Sequence, residues 1–288
     1  MDPEIRRCLE EGSRRLEQAG IERPLFEAQV LLALALGVGR ADVLRGPDAP
    51  PEPWQERRFR ELVERRAARE PLAYLRGEQE FFGLAFHVNP RVLVPRPETE
   101  LLVEFAIEKL AHITGALAVD VGTGSGCIAV AAAVSCPALH VLAIDRSRAA
   151  LEVARRNARR HGADKRILFV NADLAAAVRP GTAAMVLSNP PYIAPEEIEW
   201  LAPEVRCHEP RMALVAEEGG LAISRRLAGQ ARRVLAPGGW LAVEVAMGQA
   251  PQVAAELVAA GFAQVGARRD LAGIERMVIG RWDGTAGK

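Results

Sequence analysis

Cysteine, lysine and long apolar runs are what this sequence has little of. Four cysteines, Cys8, Cys127, Cys136 and Cys207, are scattered over 288 residues with no C-x-x-C pair, which excludes a disulfide-built scaffold and points to a reducing compartment. Lys109, Lys165 and Lys288 are the only lysines, and the arginine that supplies the remaining basic charge reads as a compositional habit rather than a recognition device. Basic and acidic residues balance at 37 each, for zero formal net charge, so nothing indicates a long polyanion held by bulk electrostatics. No run of ~18 uninterrupted apolar residues occurs and the charged N-terminus carries no apolar signal core, so a cytoplasmic protein outside the membrane is expected. His87, His112, His140, His161 and His208 show no metal-ligand spacing, and the chain has neither a G-x-x-x-x-G-K-[ST] loop nor a G-x-S-x-G elbow. Metal, P-loop and serine-nucleophile chemistry are therefore unsupported.

What the chain does have is 49% hydrophobic residues, enough for a substantial core. The first 75 residues read as a helical bundle. Asp2 can cap a helix that starts at Pro3 and stops at Gly20, and a second helix from Pro24 carries Leu25, Ala28, Leu31, Leu32 and Ala35 on one stripe until Gly37 breaks it. Ala41 to Leu44 form a further turn, and Pro47, Pro51 and Pro53 mark a loop. A third long helix, 54–69, sets Phe59, Leu62 and Val63 among arginines that read as a solvated face. Residues 76–96 read as a hairpin linker: Glu80–Val88 is rich in aromatic and β-branched residues, and Asn89-Pro90 turns it into Val92-Leu93-Val94. Pro97 then opens a helix with Glu98, Thr99 and Glu100 in its first turn.

From residue 116 onward, strands alternate with helices, the pattern of a mostly parallel sheet covered on both faces. Leu117–Val121 is the first strand, followed at once by Gly122-Thr123-Gly124-Ser125-Gly126 and a small-residue helix. A second strand ends in Asp145, about twenty residues past the glycines, where a carboxylate meets a ribose diol. The third glycine comes one place too early for the dinucleotide fingerprint, which favours S-adenosylmethionine, a cofactor without phosphates, over NAD. A third strand leads to Asp173 and Leu174, and Asp173 is placed to accept from an adenine amino group. Strand 183–187 runs into Ser188-Asn189-Pro190-Pro191-Tyr192. Asn189 offers a side-chain carbonyl, Pro190 keeps its backbone carbonyl but has no N–H, and Tyr192 adds a ring. Two acceptors beside an aromatic suit a flat, NH2-bearing group. A long loop, 193–210, a helix through Leu221, Leu227 and Leu235, a turn at Pro237-Gly238-Gly239 into the strand 240–245, another helix and a closing antiparallel hairpin complete seven strands.

Taken together, these segments resemble the HemK-type (PrmC) glutamine methyltransferases. The markers are Pro95-Arg96-Pro97-Glu98-Thr99-Glu100, the Asp120–Gly126 loop, Asn189-Pro190-Pro191-Tyr192, Glu209-Pro210 with Ala213-Leu214, and Asp270 through Gly273 to Arg276. The resemblance implies an α/β class I S-adenosylmethionine-dependent methyltransferase domain (97–288), with a Rossmann-like seven-stranded sheet, behind a helical substrate-docking domain (1–75) and the hairpin. It implies methylation of the glutamine amide N5 in the Gly-Gly-Gln motif of class I peptide chain release factors, in translation termination. S-adenosylmethionine would become S-adenosylhomocysteine. Gly122, Thr123, Gly124, Ser125, Gly126, Asp145, Asp173 and Leu174 would bind the cofactor, with Thr99, Glu100 and Asn189 at its reactive end. Asn189, Pro190, Pro191 and Tyr192 would hold and activate the substrate amide. Leu174 stands where many members carry an aromatic, and Cys207-His208 stands where an aromatic is expected. A monomer without direct nucleic-acid contact is expected. N-P-P-Y is shared with adenine-N6 nucleic-acid methyltransferases, so that activity is the alternative; an idle-cleft interaction module is a third reading.

Overall fold

The computed structural model describes residues 2–46 and 50–284. Pro47 and Lys288, singled out above, lie outside the described residues. Two compact units are present: Met1–Glu78 together with Ala202–His208, and Gln79–Leu201 together with Glu209–Lys288.

The first unit is helical: α1 (Pro3–Gln18), α2 (Pro24–Leu36), α3 (Arg40–Arg45), α4 (Pro53–Ala67) and α5 (Leu72–Arg76). Asp2 caps α1 by accepting from the backbone N–H groups of Glu4 and Ile5, and Gly37 ends α2 in the left-handed conformation that a side chain disfavours. Ile5, Leu16, Leu31, Leu32, Phe59 and Val63 form the core. Leu25, expected on the buried stripe, is exposed, because it sits in the first turn of α2, before the stripe meets its neighbours. The arginine face of α4 is not uniformly solvated either. Arg66 is buried and pairs with Glu27 and, at 3.0 Å, with Glu204, whose other oxygen takes Arg69 at 2.9 Å. The segment Ala202–His208 is thus tied to the helices by a shared carboxylate.

The second unit begins with a hairpin, β1 (Glu78–Phe81) and β2 (Leu84–His87). The turn falls at Phe82-Gly83, not at Asn89-Pro90, and Val92–Val94 is not a strand. Both turn residues have positive φ, 52° and 69°, which is the two-residue geometry whose twist matches the strands. Glu100 secures it by accepting from the Phe82 N–H at 2.7 Å. A 3-10 turn, Pro97–Thr99, leads into α6 (Glu100–Leu110), then β3 (Leu117–Val121), α7 (Cys127–Ser135), β4 (His140–Asp145), α8 (Arg148–Arg160), β5 (Ile167–Asn171) and β6 (Ala183–Ser188). The 193–210 region carries more order than expected: a 3-10 turn at Pro195–Trp200, α9 (Pro203–His208) and α10 (Arg211–Leu214). The unit ends with α11 (Ala222–Val234), β7 (Leu235–Glu244), α12 (Ala250–Ala259), β8 (Ala263–Arg269) and β9 (Glu275–Trp282).

Seven strands form one sheet in the order β5-β4-β3-β6-β7-β9-β8. β3 to β7 run parallel and β9 pairs antiparallel with both β7 and β8. Side chains alternate between two apolar layers: Ala118, Met185, Leu187 and Ala242 face one, while Val119, Val121, Val186, Leu241 and Val243 face the other. Burial on both faces is what the near-continuous apolar strand sequences anticipate. Because β3 is flanked by β4 on one side and β6 on the other, chain order reverses there, and a crevice opens beyond the carboxyl ends of β3 and β6.

Asn157 of α8 holds the hairpin to the loop after β3. Fully buried, it accepts from the His87 N–H at 2.7 Å and donates to the carbonyls of His87 (3.0 Å) and Ser125 (2.8 Å). Asn157→Leu strands these backbone groups, each at about 1–3 kcal/mol. The expected result is a lower denaturant midpoint at unchanged m-value, measured by urea unfolding.

Candidate active site

Register builds the site. Val121 of β3 lies beside Ser188 of β6, so the next residues, Gly122 and Asn189, leave the sheet side by side. The Ser188 hydroxyl locks this edge by donating to the Val121 carbonyl at 2.7 Å. Gly122 and Gly124 hold φ of 76° and 54°, and this left-handed backbone carries the chain over the crevice. Gly126, at φ 82°, lets α7 start against α8: a Cβ there would meet the Ala154 Cβ at 3.0 Å.

The resulting cleft is lined by Gly122, Thr123, Gly124, Ser125, Asp145, Asp173, Leu174, Asn189, Pro190, Pro191 and Thr99. Three expected site residues do not line it. Gly126 acts through helix packing, Glu100 holds the hairpin turn, and Tyr192 directs its hydroxyl to Glu244 at 3.5 Å. Arg91, Leu93, Arg96, Ser147, Met212 and Ile223 also line the cleft and were not anticipated there; Arg96 belongs to the Pro95–Glu100 marker, where the resemblance gives it no site role, and the others carry no motif. Arg96 pairs with the buried Glu209 at 2.6 Å; burial holds the Glu209 carboxyl above its ordinary value despite that partner.

Asp145 closes the β4 end. Its two oxygens accept from the N–H groups of Gly124 (2.9 Å) and Ser147 (2.8 Å), and burial raises its pKa. Asp120, fully buried below the glycine loop, accepts from the Thr123 hydroxyl and the Ala129 N–H, and burial pushes it up to about 7. Burial likewise pushes the Cys127 thiol up to about 12, which removes it as a nucleophile. Asp173 is paired with Arg226 through one oxygen, while its other oxygen is buried without a hydrogen bond. Leu174 beside it takes a positive φ of 49°.

Asn189 is oriented by a chain of side chains. Its NH2 donates to the Thr99 hydroxyl at 3.1 Å, and Thr99 donates to Glu244 at 2.7 Å. Glu244 is buried, and burial, reinforced by nearby Glu98 and opposed by Thr99, Tyr192 and Arg276, pushes it up to about 7. Burial and the neighbouring Glu244 raise Tyr192 as well. The Tyr192 backbone is held from behind. Its carbonyl accepts from Gln249 Nε2 at 3.0 Å, and it presses on Gly220, where a Cβ would stand 2.0 Å from the carbonyl oxygen. Beyond Tyr192 the chain closes on itself: the Ile193 N–H donates to the Leu214 carbonyl and the Ala216 N–H donates to the Ile193 carbonyl.

The reversed-order parallel sheet with its antiparallel β9, the glycine loop and the strand-end acid define a class I S-adenosylmethionine-dependent methyltransferase. Residues 7–77 match the PrmC N-terminal domain and residues 98–214 the methyltransferase small domain. The release factor glutamine methyltransferase of Nitratidesulfovibrio vulgaris is 43% identical over 95% of this chain and 93% of its own length. That of Burkholderia pseudomallei is 46% identical over 90% and 92%. The chain belongs to the release factor glutamine methyltransferase family. Solved structures agree on the fold: the hMettl16 catalytic domain in complex with MAT2A 3'UTR hairpin 6 superposes with TM-score 0.59 at 16% identity, covering 78% of this chain and 82% of that one. A methyltransferase from Pyrococcus furiosus gives 0.52 at 20% identity, over 78% and 97%. Among the described residues no helix is long and apolar enough to cross a membrane.

Proposed function

We propose that this chain methylates the side-chain amide N5 of the glutamine in the Gly-Gly-Gln motif of class I peptide chain release factors, and so acts in translation termination. The observation that carries the reading is the fixed Asn189 amide: its NH2 is engaged by Thr99, which leaves its carbonyl oxygen, beside that of Pro190, for the cleft.

The cleft fits the cofactor. Gly122, Thr123, Gly124 and Ser125 lie where a nucleoside and its amino-acid tail approach backbone, Asp145 is the ribose acceptor, and the Asp173 oxygen that carries no hydrogen bond, 3.6 Å from Arg146 Nε, is an acceptor for the adenine amino group beside Leu174. When bound, S-adenosylmethionine supplies an electrophilic sulfonium methyl and leaves as S-adenosylhomocysteine. The chain's own part begins with the poor nucleophilicity of an amide, whose lone pair is delocalised into the carbonyl. Asn189 Oδ1 and the Pro190 carbonyl accept the two NH2 hydrogens, so negative dipoles face the nitrogen as positive charge develops and its lone pair is aimed along one direction; the methylated nitrogen then gives up one of those two hydrogens as a proton to water. Positioning two bound reactants in this way supplies about 7–11 kcal/mol of the barrier reduction. The helical unit is the docking surface for the release factor, and the chain works as a monomer without direct nucleic-acid contact.

Asp145→Asn keeps the side chain's size but turns an NH2 toward one of two backbone donors. Loss of a charge-assisted acceptor is worth about 1.5–3 kcal/mol, so cofactor affinity should weaken roughly 10- to 150-fold, alongside a loss of stability from the backbone donor left unpaired; isothermal titration with S-adenosylhomocysteine measures the affinity. The function itself is tested with methyl-labelled S-adenosylmethionine and an unmodified release factor, mapping label by peptide mass spectrometry. Label on the Gly-Gly-Gln glutamine supports the proposal. Label entering adenine N6 of added nucleic acid, and not the protein, overturns it.

A further inference from the structure

We propose that Thr99 and Glu244 are positioning residues that set which way round the Asn189 amide lies, holding its carbonyl oxygen toward the substrate; this rests on the reading of Asn189 given above. An Asn side chain is nearly symmetric in shape, and rotation by half a turn exchanges an acceptor for a donor. In this site the wrong rotamer would present N–H to N–H, repelling the substrate amide. Something must therefore distinguish the two ends.

The distinction originates 145 residues from Thr99 along the chain, at the carboxyl end of β7. Ionised Glu244 only accepts, so the Thr99 hydroxyl spends its single proton on Glu244 Oε2. What remains on the Thr99 oxygen is a lone pair, and a lone pair selects the NH2 end of Asn189. Thr99 is buried on the cleft wall, where water does not offer Asn189 a substitute partner. The other Glu244 oxygen faces the Tyr192 hydroxyl at 3.5 Å, so one carboxylate reaches both ends of the Asn189–Tyr192 segment.

Protonated Glu244 can donate instead, which frees the Thr99 proton to turn toward the Asn189 oxygen and removes the selection. The groups facing Glu244 are Thr99 and Glu98 from the turn before α6, the Cys127 thiol at the start of α7, Tyr192 from the segment after β6, and Arg276 from β9; Arg276 is itself engaged by Asp270 and lies 3.9 Å from Glu98. With the carboxyl poised at about 7, kcat rises as pH passes upward through that region.

Three measurements test the assignment. Thr99→Val keeps the shape but removes the lone pair, and kcat should fall about 10- to 100-fold, the range of one buried group left unpaired. KM for the release factor and the affinity for S-adenosylhomocysteine should stay near those of the parent, and Thr99→Ser should restore kcat. Glu244→Gln can donate or accept at every pH, so its kcat should sit at the parent's acid-side level with no limb near neutrality. Independently of turnover, the 15N-labelled Asn189 side-chain NH2 should exchange slowly in the parent and fast in Thr99→Val.

Thermal unfolding supplies the titration itself. A carboxyl whose folded pKa is raised from 4.5 to about 7 retains its proton in the folded state while the unfolded chain loses it, so its stabilising contribution disappears as pH rises between those values. The melting temperature of Glu244→Gln relative to the parent should therefore increase from pH 4.5 to pH 7. A Thr99→Val variant with parental kcat, or a Glu244→Gln variant that follows the parental pH profile, overturns the proposal. If the parent leaves release factor unlabelled, it is the functional reading that fails, and the Asn189 NH2 exchange measurement still decides the orientation.

Discussion

Asn189→Ala should bind S-adenosylhomocysteine within a few-fold of the parent and turn over release factor about 100- to 1,000-fold more slowly, the cost of removing one preorganised dipole from a developing charge. The two halves of that expectation have separate structural sources. The proposed cofactor contacts come chiefly from the loop after β3 and from Asp145 at the end of β4, which line the cleft, and neither depends on the Asn189 side chain. In the proposed function the Asn189 oxygen is assigned to the substrate instead. Single-turnover kinetics with saturating cofactor separates the two, because a loss confined to KM would assign Asn189 to uniform binding rather than to the transition state. Near-parental single-turnover rates would remove Asn189 from the mechanism.

Gly220→Ala carries the second large expected effect, at a residue outside the cleft lining. The backbone there has φ 82°, and the new methyl would stand 2.0 Å from the Tyr192 carbonyl oxygen and 2.8 Å from Gln249 Nε2. Left-handed strain costs roughly 1–2 kcal/mol on its own. The contact cannot be relieved by rotating a side chain, since it is backbone that must move, and it moves the residue that ends the Asn189–Tyr192 segment. A displacement of about 1 Å in such a segment costs on the order of 100-fold in rate. Gly219→Ala is the matched control: φ is 63° and nothing lies within 4 Å of the added atom, so it should lose stability but retain kcat. Equal kcat losses in both variants would show that strain, not contact with Tyr192, is responsible.

These two predictions differ in how far the sequence alone reaches them. Asn189 is legible because its message is local: an apolar strand, one amide and two prolines in five residues. The glycine loop and Asp145 are legible for the same reason, each following a strand at a spacing that nucleoside binding requires. Gly220, Glu244 and Asn157 are not, because their partners come from elsewhere in the chain, Thr99 lying 145 residues from Glu244 and His87 70 residues from Asn157. Glu244 in sequence is only the polar end of a strand. The hairpin was displaced by the opposite error: Asn89-Pro90 has turn chemistry, while the true turn sets an aromatic, Phe82, at positive φ, a placement that local preference argues against and the Glu100 carboxylate supports. The resemblance places Glu100 at the cofactor's reactive end, and in the fold its carboxylate accepts from the Phe82 N–H.

The backbone exchange between Ile193 and the Leu214–Ala216 stretch has a consequence for how this family can vary. The chain departs from the Asn189–Tyr192 turn and returns to the same point, so the twenty-odd residues between form a closed detour, anchored along its way through Glu204 to Arg66 and Arg69 and through Glu209 to Arg96. Lengthening such a detour costs little, since doubling a loop adds about 0.6 kcal/mol of closure entropy. Exposed positions on the detour that make none of those contacts, such as Trp200, can thus change without disturbing the backbone tie at Ile193 that closes it.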